Sequence, residues 1–298
     1  MMPHAVRHMA VGLQSSGKTT FAAALWYLVS SRQIPTSLII GKHSGDHRYL
    51  DTLANRWEDG WQVPRTKTLQ QEVITMNLRD AASSTDVSLQ FADLSGETFE
   101  KAFATRFLSR KAATAFEDVE NIMLFVSAND PRDDMTMIDY ASQMDDNVNE
   151  DEVDEEATTE AKFDPAKTPR QVQLVDFLES IQQPPLSVPI QRVLVIVSAW
   201  DKGPEHNDPS QWVKERMPLL EQYLRNAGVL VRVYGVSAQG GDLPDLDNPP
   251  ESGDEAGHLD QKALLSLAKA SERIQVVGYG ADQHDLTHPV RWLSGLEG

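Results

Sequence analysis

A short stretch near the amino terminus carries residues whose types and spacing point to phosphate chemistry. In MAVGLQSSGKTT, Met9 to Thr20, the residues Gly12, Gly17, Lys18 and Thr19 fill every fixed position of the pattern G-x-x-x-x-G-K-[ST]. A triphosphate tail needs closely spaced backbone N–H donors, and a glycine-hinged loop wrapped against a helix start presents them. Gln14, Ser15, Ser16 and Thr20 belong to the same stretch and count with it as nucleotide-binding residues. In such an arrangement the Lys18 ammonium neutralises the β and γ phosphates, and the Thr19 hydroxyl ligates Mg²⁺.

A second set lies in QFADLSGETF, Gln90–Phe99, where Asp93 closes an apolar run, Gly96 follows three residues on and Glu97 comes next. An aspartate at a strand end can hold Mg²⁺ through water, and a glycine three residues later can turn its N–H toward a γ-phosphate. Loss of that phosphate then releases the loop. D-x-x-G is common on spacing alone and also marks ordinary turns; its weight here comes from following a hairpin downstream of a phosphate loop.

These residues need elements to hold them. Ala5–Val11 fits a short strand ahead of the loop, and Phe21–Val29 fits the apolar, alanine-rich helix behind it. Asn121–Ser127 (NIMLFVS) and Arg192–Ser198 (RVLVIVS) are almost uninterrupted apolar runs, the pattern of strands covered on both faces of a sheet. Glu72–Leu78 and Val87–Ala92, separated by the turn-rich Arg79–Asp86, predict a hairpin. Helices are expected over His43–Trp61, Thr168–Gln183, Trp212–Asn226 and Gln261–Ala270; strands are expected over Leu230–Val236 and Ile274–Gly278, and a strand or turn over Ser37–Ile40. The tail LTHPVRWL brings Trp292 and Leu293, which need apolar cover. The expected architecture is α/β with three layers: a mostly parallel sheet with one antiparallel edge strand, helices on both faces, and the ligand across the carboxyl ends of the strands.

The net charge of −18 is unevenly held. Asn129–Pro165 carries fourteen acids against two bases and Gln239–Asp260 seven against none, which leaves the rest of the chain at about +1. The body therefore has no electrostatic objection to a nucleotide, while the absence of a basic stripe with interleaved aromatics argues against nucleic acid as a partner. The whole chain, 1–298, is expected to form one domain with a disordered acidic insertion over 129–165 and an acidic loop over 239–260. With no cysteine, disulfides, thiol nucleophiles and Cys-based zinc sites are excluded, which suits a cytoplasmic location, and no apolar run has the roughly twenty residues of a membrane span. His4, His8, His43 and His47 read more simply as solvated side chains than as a metal site.

The order GLQSSGKT, DLSG, VIVSAWDK, VYGVSA resembles the Ras-like, translation-factor class of P-loop GTPases, and within it the bacterial double-GTPases of conflict and phage-defence systems, whose tryptophan before an aspartate resembles Trp200. The resemblance implies a Ras-like fold, GTP and GDP as ligands with Mg²⁺, and a molecular switch that reports hydrolysis to an effector. By position it makes Asp201, with Lys202 beside it, the guanine reader, and Ser237 and Ala238 the turn that touches the base. Thr66 and Thr68 are candidates for the switch threonine that reaches Mg²⁺, with Thr66 favoured by its spacing from Pro64. Ser198 and Ala199 depart from the family's Asn or Thr followed by Lys, so the stem that covers the guanine plane is missing and Lys202 is the available substitute. Glu97 stands where a glutamine orients the attacking water, which predicts slow hydrolysis unless Mg²⁺ or a partner's arginine offsets its charge. The catalytic set is then Lys18, Thr66, Gly96 and Glu97, and the metal set Thr19, Thr66 and Asp93. Three other readings stand beside this one: a pseudo-GTPase that binds nucleotide as a scaffold; a P-loop kinase, against which counts the single arginine, Arg132, in the long insertion; and an oligomeric motor ATPase, which would want a catalytic glutamate at the end of a buried strand, where Ser127 and Ser198 stand instead. An unknown effector or activating protein and a homo- or hetero-oligomer are the implied partners.

Overall fold

The structure, a computed structural model, describes residues 6–41, 47–64, 73–92, 96–129, 168–203, 208–247, 255–281 and 283–296. Asp93, Thr66, Thr68, His4, His43 and the acidic insertion from residue 130 onward lie outside the described residues. In chain order the elements are β1 (Val6–Val11), α1 (Lys18–Ser31), β2 (Leu38–Ile40), α2 (Arg48–Glu58), β3 (Val73–Asp80), β4 (Asp86–Ala92), α3 (Gly96–Thr105), α4 (Arg110–Thr114) and β5 (Asn121–Ser127). They continue as α5 (Arg170–Gln182), β6 (Arg192–Ser198), α6 (Pro209–Arg216), α7 (Pro218–Asn226), β7 (Leu230–Ser237), α8 (Glu255–Leu265), β8 (Gln275–Val277) and α9 (Thr287–Leu293).

The strands make one sheet in the order β2-β3-β4-β1-β5-β6-β7-β8. β4, β1, β5, β6 and β7 run parallel, as the mostly parallel α/β expectation requires. β8 is the antiparallel edge beside β7, while at the other margin the antiparallel hairpin strand β3 is backed by the short β2. Every residue of β5 and all but the first of β6 are buried, which is why those runs lack alternation: helices cover both faces.

One face of the sheet packs against α1, α2 and α9, the other against α3 to α7. α2 shows the cause clearly. Leu50, Leu53, Ala54 and Trp57 recur at helical spacing and are all buried. An isolated helix of this length is marginal in water, so its stability comes from this stripe, at about 2 kcal/mol for each large apolar side chain. α9 gives Trp292 and Leu293 the cover the tail required.

Two helices and one histidine differ from expectation. Trp212–Asn226 is two helices, because Pro218 cannot donate a backbone bond and Met217 leaves the helical region at φ −129°, ψ 54°. The helix expected over Gln261–Ala270 starts earlier, at Glu255 inside the expected acidic loop, and stops at Leu265 before a separate 3₁₀ turn over Ala270–Arg273. His8 is fully buried in β1, not solvated: the Ser294 hydroxyl donates to Val290 O at 2.8 Å, so the His8 Nε2–H donates to Ser294 Oγ at 2.8 Å. Among the described residues no helix is long and apolar enough to cross a membrane.

Candidate functional site

β1 delivers the chain to the carboxyl end of the sheet, where it must turn sharply between two covered strands. Gly12 makes this possible: a Cβ there would lie 2.7 Å from both Phe125 O and Ser16 Oγ. Ser15 takes a left-handed φ of 64°, and Gly17 caps α1 at φ 86°, where a Cβ would meet the Ser198 side chain at 2.8 Å. Gly17 has no side chain to cap the helix, and the first turn of α1 carries no acid. With neither a capping side chain nor an acid of its own, the positive end of the helix dipole faces the loop, the arrangement that suits an external anion such as phosphate.

Lys18 lies back over this loop. Its Nζ donates to Gly12 O at 2.6 Å and Leu13 O at 2.8 Å, and sits 3.1 Å from Ser16 Oγ. The ammonium is held at the mouth of the cradle by the loop's own carbonyls, so its charge is placed before a ligand arrives. Thr19 follows it, partly buried in the first turn of α1. No group of three or more His, Cys, Asp or Glu able to hold a metal occurs among the described residues. One hydroxyl beside a phosphate loop suits Mg²⁺, which keeps several waters and takes further ligands from phosphate oxygens.

The end of β6 is tied directly to the loop. Ser198 Oγ lies 3.0 Å from Ser16 O and 3.1 Å from Val126 O, sharing its one hydrogen between them. The family's usual Asn or Thr is absent, but a side chain at this position still braces the phosphate loop. Ala199 then turns through φ 52°, ψ 40°, and a 3₁₀ turn over Trp200–Lys202 leaves Asp201 exposed. The Trp200 ring lies against Gly235 of β7, where a Cβ would be 2.5 Å from the indole. Lys202 forms an ion pair with Asp242, so its stem is directed to the acidic loop. Lys202, the expected substitute for the missing lysine, therefore stands beside Asp201 with its ammonium on a carboxylate of the loop after β7.

β7 ends at Ser237, and Ala238 follows it. Ser237 is buried and accepts from Gly240 N at 3.1 Å, while Ala238 O accepts from Trp57 Nε1 at 2.8 Å. Trp57 is in turn fastened by Arg273, which donates to Trp57 O at 2.8 Å and to Glu58 O at 3.0 Å. The loops after β1, β6 and β7 thus meet at one edge of the sheet. α3, whose first residues are Gly96 and Glu97, starts after β4, the parallel neighbour of β1 on its other side.

Two contacts of this region had no sequence signal. Arg170, the first residue of α5 and only 4 % exposed, donates from a terminal guanidinium nitrogen to Gln14 O at 2.5 Å across 156 positions of sequence. Trp57 reads in sequence only as part of an apolar stripe, since its indole N–H partner is set by the way α2 docks.

A parallel sheet whose first strand runs into a glycine-hinged loop, with lysine at the start of the following helix, defines a P-loop nucleotide-binding protein. Residues 9–293 match the sequence model of the Double-GTPase 1 family, and the chain belongs to that family, a GTP-binding branch of the P-loop GTPases. No curated protein matches it.

Proposed function

We propose that this protein is a nucleotide-dependent switch that binds GTP with Mg²⁺ and hydrolyses it slowly to GDP. The observation that carries the reading is Lys18 seated on Gly12 O and Leu13 O above an uncapped helix start, with Ser198 of β6 bracing the same loop. The amides of Gln14, Ser15, Ser16, Gly17, Lys18, Thr19 and Thr20 would enclose the phosphates, and Lys18 would follow charge onto the β/γ oxygens. Asp201 would accept the two ring N–H groups of guanine, a pairing adenine cannot offer, with Ser237 and Ala238 at the base oxygen. Lys202 would act through its pair with Asp242, fixing the turn that carries Asp201.

Thr19, Asp93 and Thr66 would hold Mg²⁺. When bound, the ion draws charge from the bridging and terminal phosphate oxygens. Water adds to the γ-phosphorus as the bond to the β,γ-bridging oxygen breaks; the electron pair leaves with GDP and a water proton ends on the released phosphate. The Gly96 N–H would sense the γ-phosphate, and Glu97, a carboxylate beside an anion, would make the step slow. The family resemblance supports a cytoplasmic role in a bacterial conflict or signalling system, with a protein effector reading the segment around Gly96.

Glu97 and the alanine at position 199 favour a second reading, a nucleotide-binding scaffold without turnover. Equilibrium titration with GTP, GDP and ATP beside a hydrolysis assay separates them. GTP and GDP are expected to bind far more tightly than ATP, with measurable phosphate release. ATP binding as tight as GTP would remove Asp201 from its role, and GTP binding without release would leave the scaffold. Lys18→Ala is expected to weaken GTP by about 3 kcal/mol.

A further inference from the structure

We propose that the first half of β7 is a docking edge, where a partner protein adds an extended strand with an apolar side chain in the adjoining cavity and an acidic one on Lys214. The edge is at the opposite end of β7 from Ser237 and depends on no nucleotide.

The ladder leaves this edge bare. β7 runs from Leu230 to Ser237, but among the described residues β8 pairs only with Gly235, Val236 and Ser237. Leu230 N donates to Gln191 O at 3.0 Å, toward β6, so strand alternation turns the backbone groups of Val231 and Val233 the other way. Gly278, where the chain leaves β8, lies against Val233 O, which a Cβ there would approach to 3.2 Å. The N–H and C=O of Val231 and the N–H of Val233 have no hydrogen-bond partner among the described residues. Their order along the edge is donor, acceptor, donor, and an extended backbone is what answers such a row.

Beside the edge is a cavity of about 400 Å³, within the roughly 300–1,000 Å³ that ligand sites occupy. Val213 of α6, Leu224 of α7 and Val229, Val231 and Val233 give it apolar walls, and Lys214 completes the lining. The carboxylates of the lining are already engaged: Asp208 accepts from Ser210 N at 2.9 Å, and Glu221 pairs with Arg225 at 3.2 Å. Lys214 has no ion pair or hydrogen bond among the described residues. Residues 208–234 carry four bases and three acids, so the surroundings do not repel a carboxylate. The charge left to answer is an ammonium, and the occupant that answers it carries an aspartate or glutamate. Side chains two positions apart share one face of a strand, so its apolar and acidic residues belong at i and i+2.

A second copy of this chain fits the edge less well. Antiparallel pairing of two β7 edges through Val231 and Val233 sets Arg232 directly or diagonally opposite its own copy, and like charges so placed are destabilising.

The test uses fluorescein-labelled peptides of about ten residues, the upper length of an ordinary strand. They are threonine and serine except for one leucine and, two positions on, one aspartate, made in both chain directions. Polarisation titration of the full chain is expected to show saturable binding of at least one. Exchanging its aspartate for lysine should weaken it about tenfold, since an attraction becomes a repulsion. Methylating one set of alternate peptide amides should abolish binding, and methylating the other set, which faces away from β7, should spare it. Lys214→Glu, with its fold checked by thermal melting, is expected to reverse the preference between the aspartate and lysine peptides. Absence of binding at millimolar peptide, equal binding of the two methylated forms, or an unchanged preference in Lys214→Glu would overturn the proposal. A dimer in sedimentation that protects the Val231 and Val233 amides from exchange without peptide would give the edge to a second copy, and overturn it as well. No nucleotide enters these titrations, so their failure leaves the GTPase reading standing.

Discussion

Gly235 stands in the interior of β7, where glycine ordinarily weakens a strand for want of a side chain to pack. Here the space belongs to Trp200. A Cβ at 235 would lie 2.5, 2.6 and 2.8 Å from Cδ2, Cγ and Cε2 of the indole, three atoms of one rigid ring that cannot step aside separately. Trp200 opens the 3₁₀ turn that presents Asp201, so a methyl group at 235 pushes on the turn proposed to read the base. Gly235→Ala is expected to cost about 1–3 kcal/mol of stability and about tenfold in GDP affinity, measured by thermal melting and by GDP titration. Unchanged GDP affinity would show that the indole only fills space. Ser198 reads the same way. As a departure from a family pattern it weakens the expectation of a working site, yet its hydroxyl reaches Ser16 O.

At the scale of elements, α2 is more than a packed addition. Its carboxyl end and the residues after it are fastened to the loop that follows β7: Trp57 Nε1 to Ala238 O, Gln62 N to Pro244 O at 2.9 Å, and a two-bond pair of Arg56 with Asp247 at 2.8 Å each. From the far side Gln261 of α8 donates to Gly60 O at 2.9 Å. The turn of Ser237 and Ala238, proposed to contact the base, is thus held from outside by a helix that precedes the hairpin in the chain. Trp57→Phe keeps the ring and removes the N–H donor. About 1 kcal/mol of the turn's support should go with it, read as GDP affinity roughly fivefold weaker with most of the thermal stability kept. A melting shift with no change in nucleotide binding would reduce α2 to a packing helix.

Across the whole molecule, α9 closes on β1, β2 and β3 away from the nucleotide edge. α9 is pinned by Asp285, which accepts from Ser37 N at 3.0 Å and its hydroxyl at 2.8 Å, by Leu38 N donating to Thr287 Oγ1 at 2.9 Å, and by Arg291 on Asp80 at 2.6 Å. Under α9, burial, helped by the charge of Arg192, pushes the His8 imidazole down from its ordinary 6.5 to about 3. The folded protein therefore refuses a proton that the unfolded chain accepts below about 6.5. Stability is fully present above that pH and is lost as pH falls toward 3, at up to about 1.4 kcal/mol per pH unit. Thermal midpoints taken between pH 7.5 and 5 are expected to fall in the wild type, and to fall less in His8→Gln. Parallel curves would assign the loss to other groups. Because His8 is in the first half of β1 and the phosphate loop follows the last residue, GTP affinity per folded molecule should not share this pH dependence.

Much of this protein was written in local patterns. Unalternating runs announced β5 and β6, a turn-rich gap announced the β3–β4 hairpin, and Gly12, Gly17 and Lys18 announced the phosphate loop, because each pattern states a requirement of the chain within a few residues of itself. Tertiary structure alone decided the rest. Nothing near Arg170 marks it as a neighbour of Gln14, nothing near Trp57 names Ala238 O as its acceptor, and nothing near Lys202 names Asp242 as its ion-pair partner. Such contacts join residues 40 to more than 150 positions apart, and a single chain carries no periodicity over that range. They exist only once the sheet order has brought separate strand ends to one edge and the helices have packed across its two faces.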